Sequence, residues 1–454
     1  MANHGVFTSR RDTSVVPMNT ALSGIPFVIG LAPKYEVDPE WDPEEEPIPV
    51  PPPVLCTSMD EVEEKLGFSE NFSDFSLSKF AFYWFILCGL TPAIFLPLPY
   101  RSRYTTFPQV THQTILLDPP FRPRRVSYVT VNNEKVDDWT YDPSTGELTF
   151  STVPAEPRKV DVYYKLTSTP AEIAAAVEKV DLCMAKFGIV PDLLLAPDYD
   201  DSLVAAAMAA KAGAINGIFK ARVLVDVAGA SYTAAIAAKN GGSYTEEEIA
   251  CWPCGKVGDK VFNMSILQAA RIALTDADNE GVPYESPSNK SLPVDSLCDA
   301  AGEEISLTLG QANLLNAAGI VTGLNFMGGY KAWGNYTGAW PGETDVIKTL
   351  IPIARMFDWV GNSLIKSFWQ KVDRPMNRRL VDSVIDSANI WLNGLVSREY
   401  LLGARVEMLD SENPLTDLMA GICRLHVFMT PPSPAQEIDF ILEYDASYVE
   451  SAFA

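Results

Sequence analysis

The sequence predicts a layered α/β protein with a small all-β module inserted into it. Three observations carry that prediction. From residue 169 to about 326, short apolar runs alternate with helix-period stretches, the pattern of strands covered by helices. Between 104 and 168 the period changes to two, in "RRVSYVTVNNEKV", "WTYDPSTGELTF" and "RKVDVYYKL". Near the end of the sequence, "PPSPAQEIDFILEYD" (431–445) sets Ile438, Phe440, Leu442 and Tyr444 against Glu437, Asp439 and Glu443, which reads as a half-buried strand. A strand there either closes the protein's own sheet or offers an edge to another chain.

The elements follow in order. "GIPFVIGLAP" (24–33) reads as a buried strand ending in a turn. Next, 36–53 holds seven acidic residues, no basic ones and many prolines, so an exposed, extended loop is expected. Ser58 and Glu61 stand at capping-box spacing for a short helix. The stretch 80–100 carries no charge, but Gly89 and Pro92 divide it into a helix-like and a strand-like run, each too short to cross a bilayer. Thr169, Pro170 and Glu172 supply the cap, first turn and box of another helix.

Beyond it, "PDLLLAP" (191–197), "ARVLVDV" (221–227) and "IVTGLNF" (320–326) read as strands. Helices are expected near 201–216 and in "YTAAIAAKN", "NMSILQAARIALTDADN" and "QANLLNAAG". Two long amphipathic helices follow: Pro352 opens one with the stripe Phe357, Val360, Leu364 and Phe368, and the other carries Val381, Val384, Ala388, Trp391 and Leu395. "GICRLHVFM" (421–429) and 436–445 read as a closing pair of strands, and no internal repeat is present.

Charge narrows the function. Against 35 Lys and Arg stand 58 Asp and Glu, a net −23, and a surface that acidic repels phosphate backbones and anionic lipid. Seven cysteines, at 56, 88, 183, 251, 254, 298 and 423, form no secreted disulfide framework, which fits a reducing compartment. The first residues lack the apolar core of a signal peptide.

Few motifs point to chemistry. Cys251 and Cys254 form a Cys-x-x-Cys pair, but loop or strand residues follow where a redox helix would start, and no second ligand pair completes a zinc site. His4, His112 and His426 are far apart, and no G-x-S-x-G elbow, P-loop or dinucleotide fingerprint is present. "FRPRR" (121–125) reads as a solvated surface cluster. "GGYKAWGNYTG" (328–338) interleaves glycines with Tyr330, Trp333 and Tyr336 straight after a strand, a packed turn joining two layers or a ligand loop. No catalytic, cofactor-binding or metal residue is assigned.

These stretches, in this order, resemble the tail sheath proteins of contractile bacteriophage tails and R-type bacteriocins. "GIPFVIGLAP" is similar to the family's first core strand and "PDLLLAP" to its mid-chain strand. "WPCGKVGDKVFNMS" and "GVPYESPSNKSL" resemble the central region of the Gram-positive prophage branch. "NLLNAAGIVTGLNFMGGYKAWGNYTG" resembles the strand and Trp-Gly-x-x-Thr core turn, here Trp333, Gly334 and Thr337; Tyr336 stands where the family often has Arg. "PIARMFDWVGNSLI", "NPLTDLMAG" and "PPSPAQEIDFILEYD" are similar to the C-terminal region.

The resemblance implies a structural protein, not an enzyme, without cofactors. It would polymerise as stacked hexameric rings around a tail tube protein, between baseplate and tail terminator proteins, with no nucleic acid and no membrane insertion. The sheath would be held in a metastable extended state, and its contraction would drive the tube through a cell envelope. The particle would be a virion tail or a bacteriocin, assembled in the host bacterial cytoplasm. The expected division is an N-terminal arm (1–22), the first part of the core (23–103), the β module (104–168), a central α/β domain (169–345), a C-terminal core domain (346–446) and a C-terminal arm (447–454). The arms would exchange strands between subunits through Val6, Phe7, Ile438, Phe440, Leu442, Tyr444, Tyr448 and Val449. A cytosolic redox enzyme using Cys251 and Cys254 is the alternative.

Overall fold

The computed structural model describes residues 17–37, 50–117, 126–142, 145–153, 156–199, 201–445 and 448. The expectations placed on His4, Val6, Phe7, residues 38–49 of the acidic loop, the basic cluster 121–125 and Val449 lie outside the described residues.

Pro26–Glu36 lies near the middle of an eleven-stranded sheet. To one side run Leu193–Leu195, Arg222–Asp226, Glu248–Cys251 and Ile320–Asn325, all parallel, and then Tyr330–Trp333, which turns back as an antiparallel edge. Parallel strands need both faces covered, and the apolar run 26–32 is buried accordingly. Val28 points into one core and Phe27, Ile29 and Leu31 into the other. The first core is covered by Met264–Asp278 and by the helical run Ser76–Leu87, the second by the helices between Pro170 and Phe187 and by Ser202–Ala212. The uncharged stretch 80–100 is thus a helical run, a turn and a buried strand; within the helical run Phe80, Ala81, Tyr83 and Trp84 are buried while Ile86 is exposed. Among the described residues no helix is long and apolar enough to cross a membrane.

Two helix starts show how local the sequence signal is. At Thr169 the box closes fully: the Glu172 amide donates to the Thr169 hydroxyl, and the Thr169 amide donates to the Glu172 carboxylate at 2.6 Å. At Ser58 the hydroxyl caps Glu61, but the Glu61 carboxylate accepts from the Thr57 amide instead, one residue early.

On the other side of Pro26–Glu36, the strand Ala93–Val110 is parallel to it as far as Tyr100 and antiparallel to Arg158–Thr167 from Tyr100 to Val110. One 18-residue strand therefore passes from the main sheet into the β module. The boundary expected between Arg103 and Tyr104 falls in mid-strand, because the module grows out of the sheet edge rather than from a linker. Beyond that edge the module has its own core of Val110, Ile115, Leu148, Phe150, Val160 and Val162.

The C-terminal region packs Ile351–Phe368 against Arg378–Ser397 through Met356, Trp359, Val360, Ala388, Leu392 and Leu395. A two-stranded hairpin completes it, and here the expectation is corrected. His426–Thr430 pairs with Gly403–Glu407, not with 436–445. The earlier strand, in "LLGARVEML", carries a weak alternation and was not anticipated. Residues 431–445 belong to no strand, and among the described residues none pairs with that segment.

Candidate functional site

The glycine–aromatic turn is a joint. Gly328 and Gly329 have positive φ and make the reversal between the last two strands of the sheet. Gly334 has φ +138°, and a Cβ there would stand 2.7 Å from the Asn316 side chain and 3.1 Å from Val321 Cα. Its amide donates to Ser288 Oγ at 3.0 Å, while Trp333 Nε1 donates to Asn313 Oδ1 at 3.0 Å. Thr337 is fully buried, with its amide bound to the Thr349 carbonyl and its hydroxyl to the Lys348 carbonyl, both at 2.8 Å. Tyr336 stacks on Trp340 at 4.3 Å, and the Trp340 carbonyl accepts from the buried Lys239, whose amine burial holds below its ordinary pKa. The structure thus brings Trp333, Gly334 and Thr337 into one turn that ties the sheet edge to the helix beginning at Ile351.

Residues 432–437 face this turn across an open groove of about 1020 Å³, whose other wall includes Trp333, Tyr336 and Trp340. Past the groove the chain becomes unusually apolar for its exposure. Phe440 is 81% exposed, Leu442 95% and Tyr444 80%, and Ile438 and Tyr448 are exposed as well. Among the described residues no strand pairs with this segment, so its contiguous apolar side chains are left in water.

At the other end of the described chain, residues 19–21 lie along the helix Ile351–Phe368. The amides of Asn19 and Ala21 donate to Ser367 Oγ and Ser363 Oγ, each at 2.8 Å, and Trp359 Nε1 donates to the Ala21 carbonyl at 2.9 Å. The next turn ends on Asp192, which accepts from the amides of Gly24 and Ile25. Arg355 then joins Asp192 to Asp276 (2.9 and 2.6 Å), and Arg222 joins Asp358 at 2.6 Å. These ion pairs lock the C-terminal helix onto the central sheet. Periodicity could not have found them, since their partners lie from 79 to 163 residues apart.

The candidates for chemistry are dispersed. Cys251 ends a strand and is buried in the core, whereas Cys254 begins a separate four-stranded sheet, opposite Cys298. The Cys251–Cys254 pair therefore does not sit at a helix start, as a dithiol active site requires. His426 Nδ1 is 2.7 Å from Glu412 Oε1, in the C-terminal hairpin, and His112 is exposed on the β module. Among the described residues no group of three His, Cys, Asp or Glu side chains could hold a metal.

At the carboxyl ends of the parallel strands, where α/β folds often bind ligands, the polar groups are bonded to one another. Lys79 Nζ donates to Asp198 at 2.6 Å and to Asn263 at 2.7 Å, and Asp226 accepts from the amide and hydroxyl of Ser265. Burial pushes the Asp226 carboxyl up to about 6.

No protein-family model matches the chain. In sequence it is similar to the "Tail sheath protein" of Burkholderia phage BcepMu, at 28% identity over 206 residues, covering 44% of this chain and 43% of that protein. It is also 28% identical over 144 residues to the "Major tail sheath protein" of Serratia phage KSP20, covering 32% and 35%. The matched stretches thus span less than half the length of these curated relatives. Structural likeness runs further. The sheath complex of an extracellular contractile injection system, PVC, in its contracted state superposes with TM-score 0.62 at 13% identity, covering 99% of both chains. The helical sheath of the anti-feeding prophage, also contracted, gives TM-score 0.60 at 18% identity over 98% and 100%.

Over nearly its whole length the chain therefore has the fold of contractile-sheath subunits. Its sequence likeness is to phage tail sheath proteins, as the collinear motifs imply.

Proposed function

We propose that the chain is the sheath subunit of a contractile tail. Copies assemble as stacked hexameric rings around a tail tube, between a baseplate and a tail terminator, in a metastable extended lattice. Contraction moves the subunits as rigid bodies and drives the tube through a target envelope. The particle is a phage tail or a related bacteriocin, put together in the host cytoplasm. The three ion pairs of Arg355 and Arg222 support rigid-body motion, because they tie the N-terminal stretch, the central sheet and the C-terminal helix into one unit.

The observation that carries this reading is the segment 438–444. It sets Ile438, Phe440, Leu442 and Tyr444 on one period-two face, with Ile441 breaking the acidic face. Yet it stands exposed and pairs with no strand among the described residues of a chain with a sheath fold. Two-stranded and open, the hairpin Gly403–Glu407 with His426–Thr430 is a suitable host for added strands. Arms of neighbouring copies, carrying Val6, Phe7, Tyr448 and Val449, join it together with Ile438, Phe440, Leu442 and Tyr444. No observation favours the redox alternative.

Replacing Phe440 and Leu442 with Asp tests the reading by sedimentation velocity. The variant is expected to sediment as a folded monomer where the unchanged chain forms large assemblies. Large assemblies of the variant, indistinguishable from those of the parent, would exclude strand exchange through this segment.

A further inference from the structure

Cys254 has a partner, and it is not Cys251. In the small sheet formed by Lys260–Phe262, Cys254–Val257, Ser296–Cys298 and Glu304–Ile305, the antiparallel register sets Cys254 directly opposite Cys298. Directly opposed residues of an antiparallel pair have Cα atoms roughly 4.5–5.5 Å apart and side chains on the same face. A disulfide needs a Cα separation of roughly 4.4–6.8 Å, which directly opposed residues meet, and a Cβ separation of roughly 3.5–4.5 Å, which small shifts of the two strands supply. Both thiols are free, and Cys298 lies close enough for its charge to disfavour the Cys254 thiolate. Cys251 belongs to the main sheet and is packed in its core.

We propose that Cys254 and Cys298 are a cross-strand dithiol that oxidises to a disulfide when the protein meets a small-molecule disulfide such as oxidised glutathione. Cys254 is partly exposed and Cys298 fully buried, which orders the steps. The Cys254 thiol loses its proton and attacks one sulfur of the oxidant, giving a mixed disulfide and releasing one thiolate. The Cys298 thiol then loses its proton and attacks Cys254 Sγ, forming the Cys254–Cys298 bond and releasing the second thiolate. The two protons end on the two released thiols, and the oxidant's disulfide is reduced as the protein's is formed.

The bond has a structural consequence. It closes a loop that contains the helix Met264–Asp278, with Asp276 of the Arg355 ion pair, and Ser288, which binds the Gly334 amide. Buried thiols react slowly with oxidants because the thiolate is disfavoured; burial pushes Cys298 up to about 11 and the attacking Cys254 further still. The pair therefore stays reduced through brief exposure and is oxidised by prolonged contact. The inference does not depend on the sheath reading.

Incubation of the native chain with oxidised glutathione, alkylation of the remaining thiols in denaturant and peptide mapping test it. The expected product has two fewer alkylated thiols than the seven of the reduced chain, one linked peptide pair joining Cys254 to Cys298, and a higher unfolding temperature that reverts on reduction. Cys298→Ala is expected to abolish that linked pair. A Cys251–Cys254 link, or seven alkylated thiols after prolonged incubation, would overturn the proposal.

Discussion

Arg355 meets Asp276 end-on, Nη1 to Oδ1 at 2.9 Å and Nη2 to Oδ2 at 2.6 Å, with both residues almost wholly out of water. A second contact from Nη2 to Asp192 reaches the residue that holds the amides of Gly24 and Ile25. Three regions that are distant in sequence thus converge on one guanidinium.

Removing one partner of such a pair strands the other. Arg355→Ala is expected to destabilise the chain by about 3–5 kcal/mol, read from urea unfolding. Arg355→Met combined with Asp276→Leu should cost less than Arg355→Ala, since no charge is then left facing Asp276's position. A cost of Arg355→Ala below about 1 kcal/mol, typical of a surface pair, would show that the clamp does not hold the regions together.

The turn at Trp333 offers a second test. Gly334→Ala should cost about 1–3 kcal/mol, because the backbone has φ +138° and the new methyl meets Asn316 and Val321. Thr337→Val should cost about 1–3 kcal/mol by leaving the Lys348 carbonyl without its hydroxyl donor. Thermal or denaturant unfolding checks both. Unchanged stability of either variant would remove the joint from the account.

Much of the fold was legible where the signal is local. The capping box at Thr169, the buried run at 26–32 and the helix–turn–strand reading of 80–100 need only neighbouring residues, and each is present. Glu248–Cys251, a strand of the main sheet, was missed because only Ile249, Ala250 and Cys251 are apolar and acidic residues precede them. At 436–445 the apolar period of two holds for Ile438, Phe440, Leu442 and Tyr444, with Ile441 off that face, but a pattern records what a segment can bury, not where its partner lies. Of the turn residues, Trp333, Gly334 and Thr337 were identified by resemblance, whereas the Arg355 clamp, made by long-range contacts, left no periodic trace.

Because Ala93–Val110 crosses into the β module, excision should follow the register. Ser102 and Lys165 are opposite one another, so joining them through Asn-Gly would close a hairpin and keep the ion pair of Lys165 with Asp74. The module has a core of its own, and the shortened chain should remain soluble, with native-like circular dichroism. Aggregation of the shortened chain would show that the main sheet depends on the module.

Asp226 gives the sign of one pH effect. Its carboxyl is held at about 6 by burial, with Asp198 adding to the rise, against the opposing bonds from Ser265 and Asn263. Lys79 and Cys254 complete the charged and titratable surroundings. A carboxyl whose folded pKa lies above its unfolded value of about 4 favours folding fully below that value, and the contribution is lost as pH rises through about 6. From about pH 4 to 6 the parent should therefore lose stability relative to Asp226→Asn, as followed by denaturant midpoints. Identical pH slopes would contradict the assignment.

The central claim is that this chain builds a sheath, and electron microscopy of the purified full chain tests it most directly. The account predicts tubes of stacked six-subunit rings, and no tubes from a chain ending at Gln436, although that chain should remain folded by circular dichroism. Small discrete oligomers from the full chain, or tubes of normal length without residues 437–454, would contradict it.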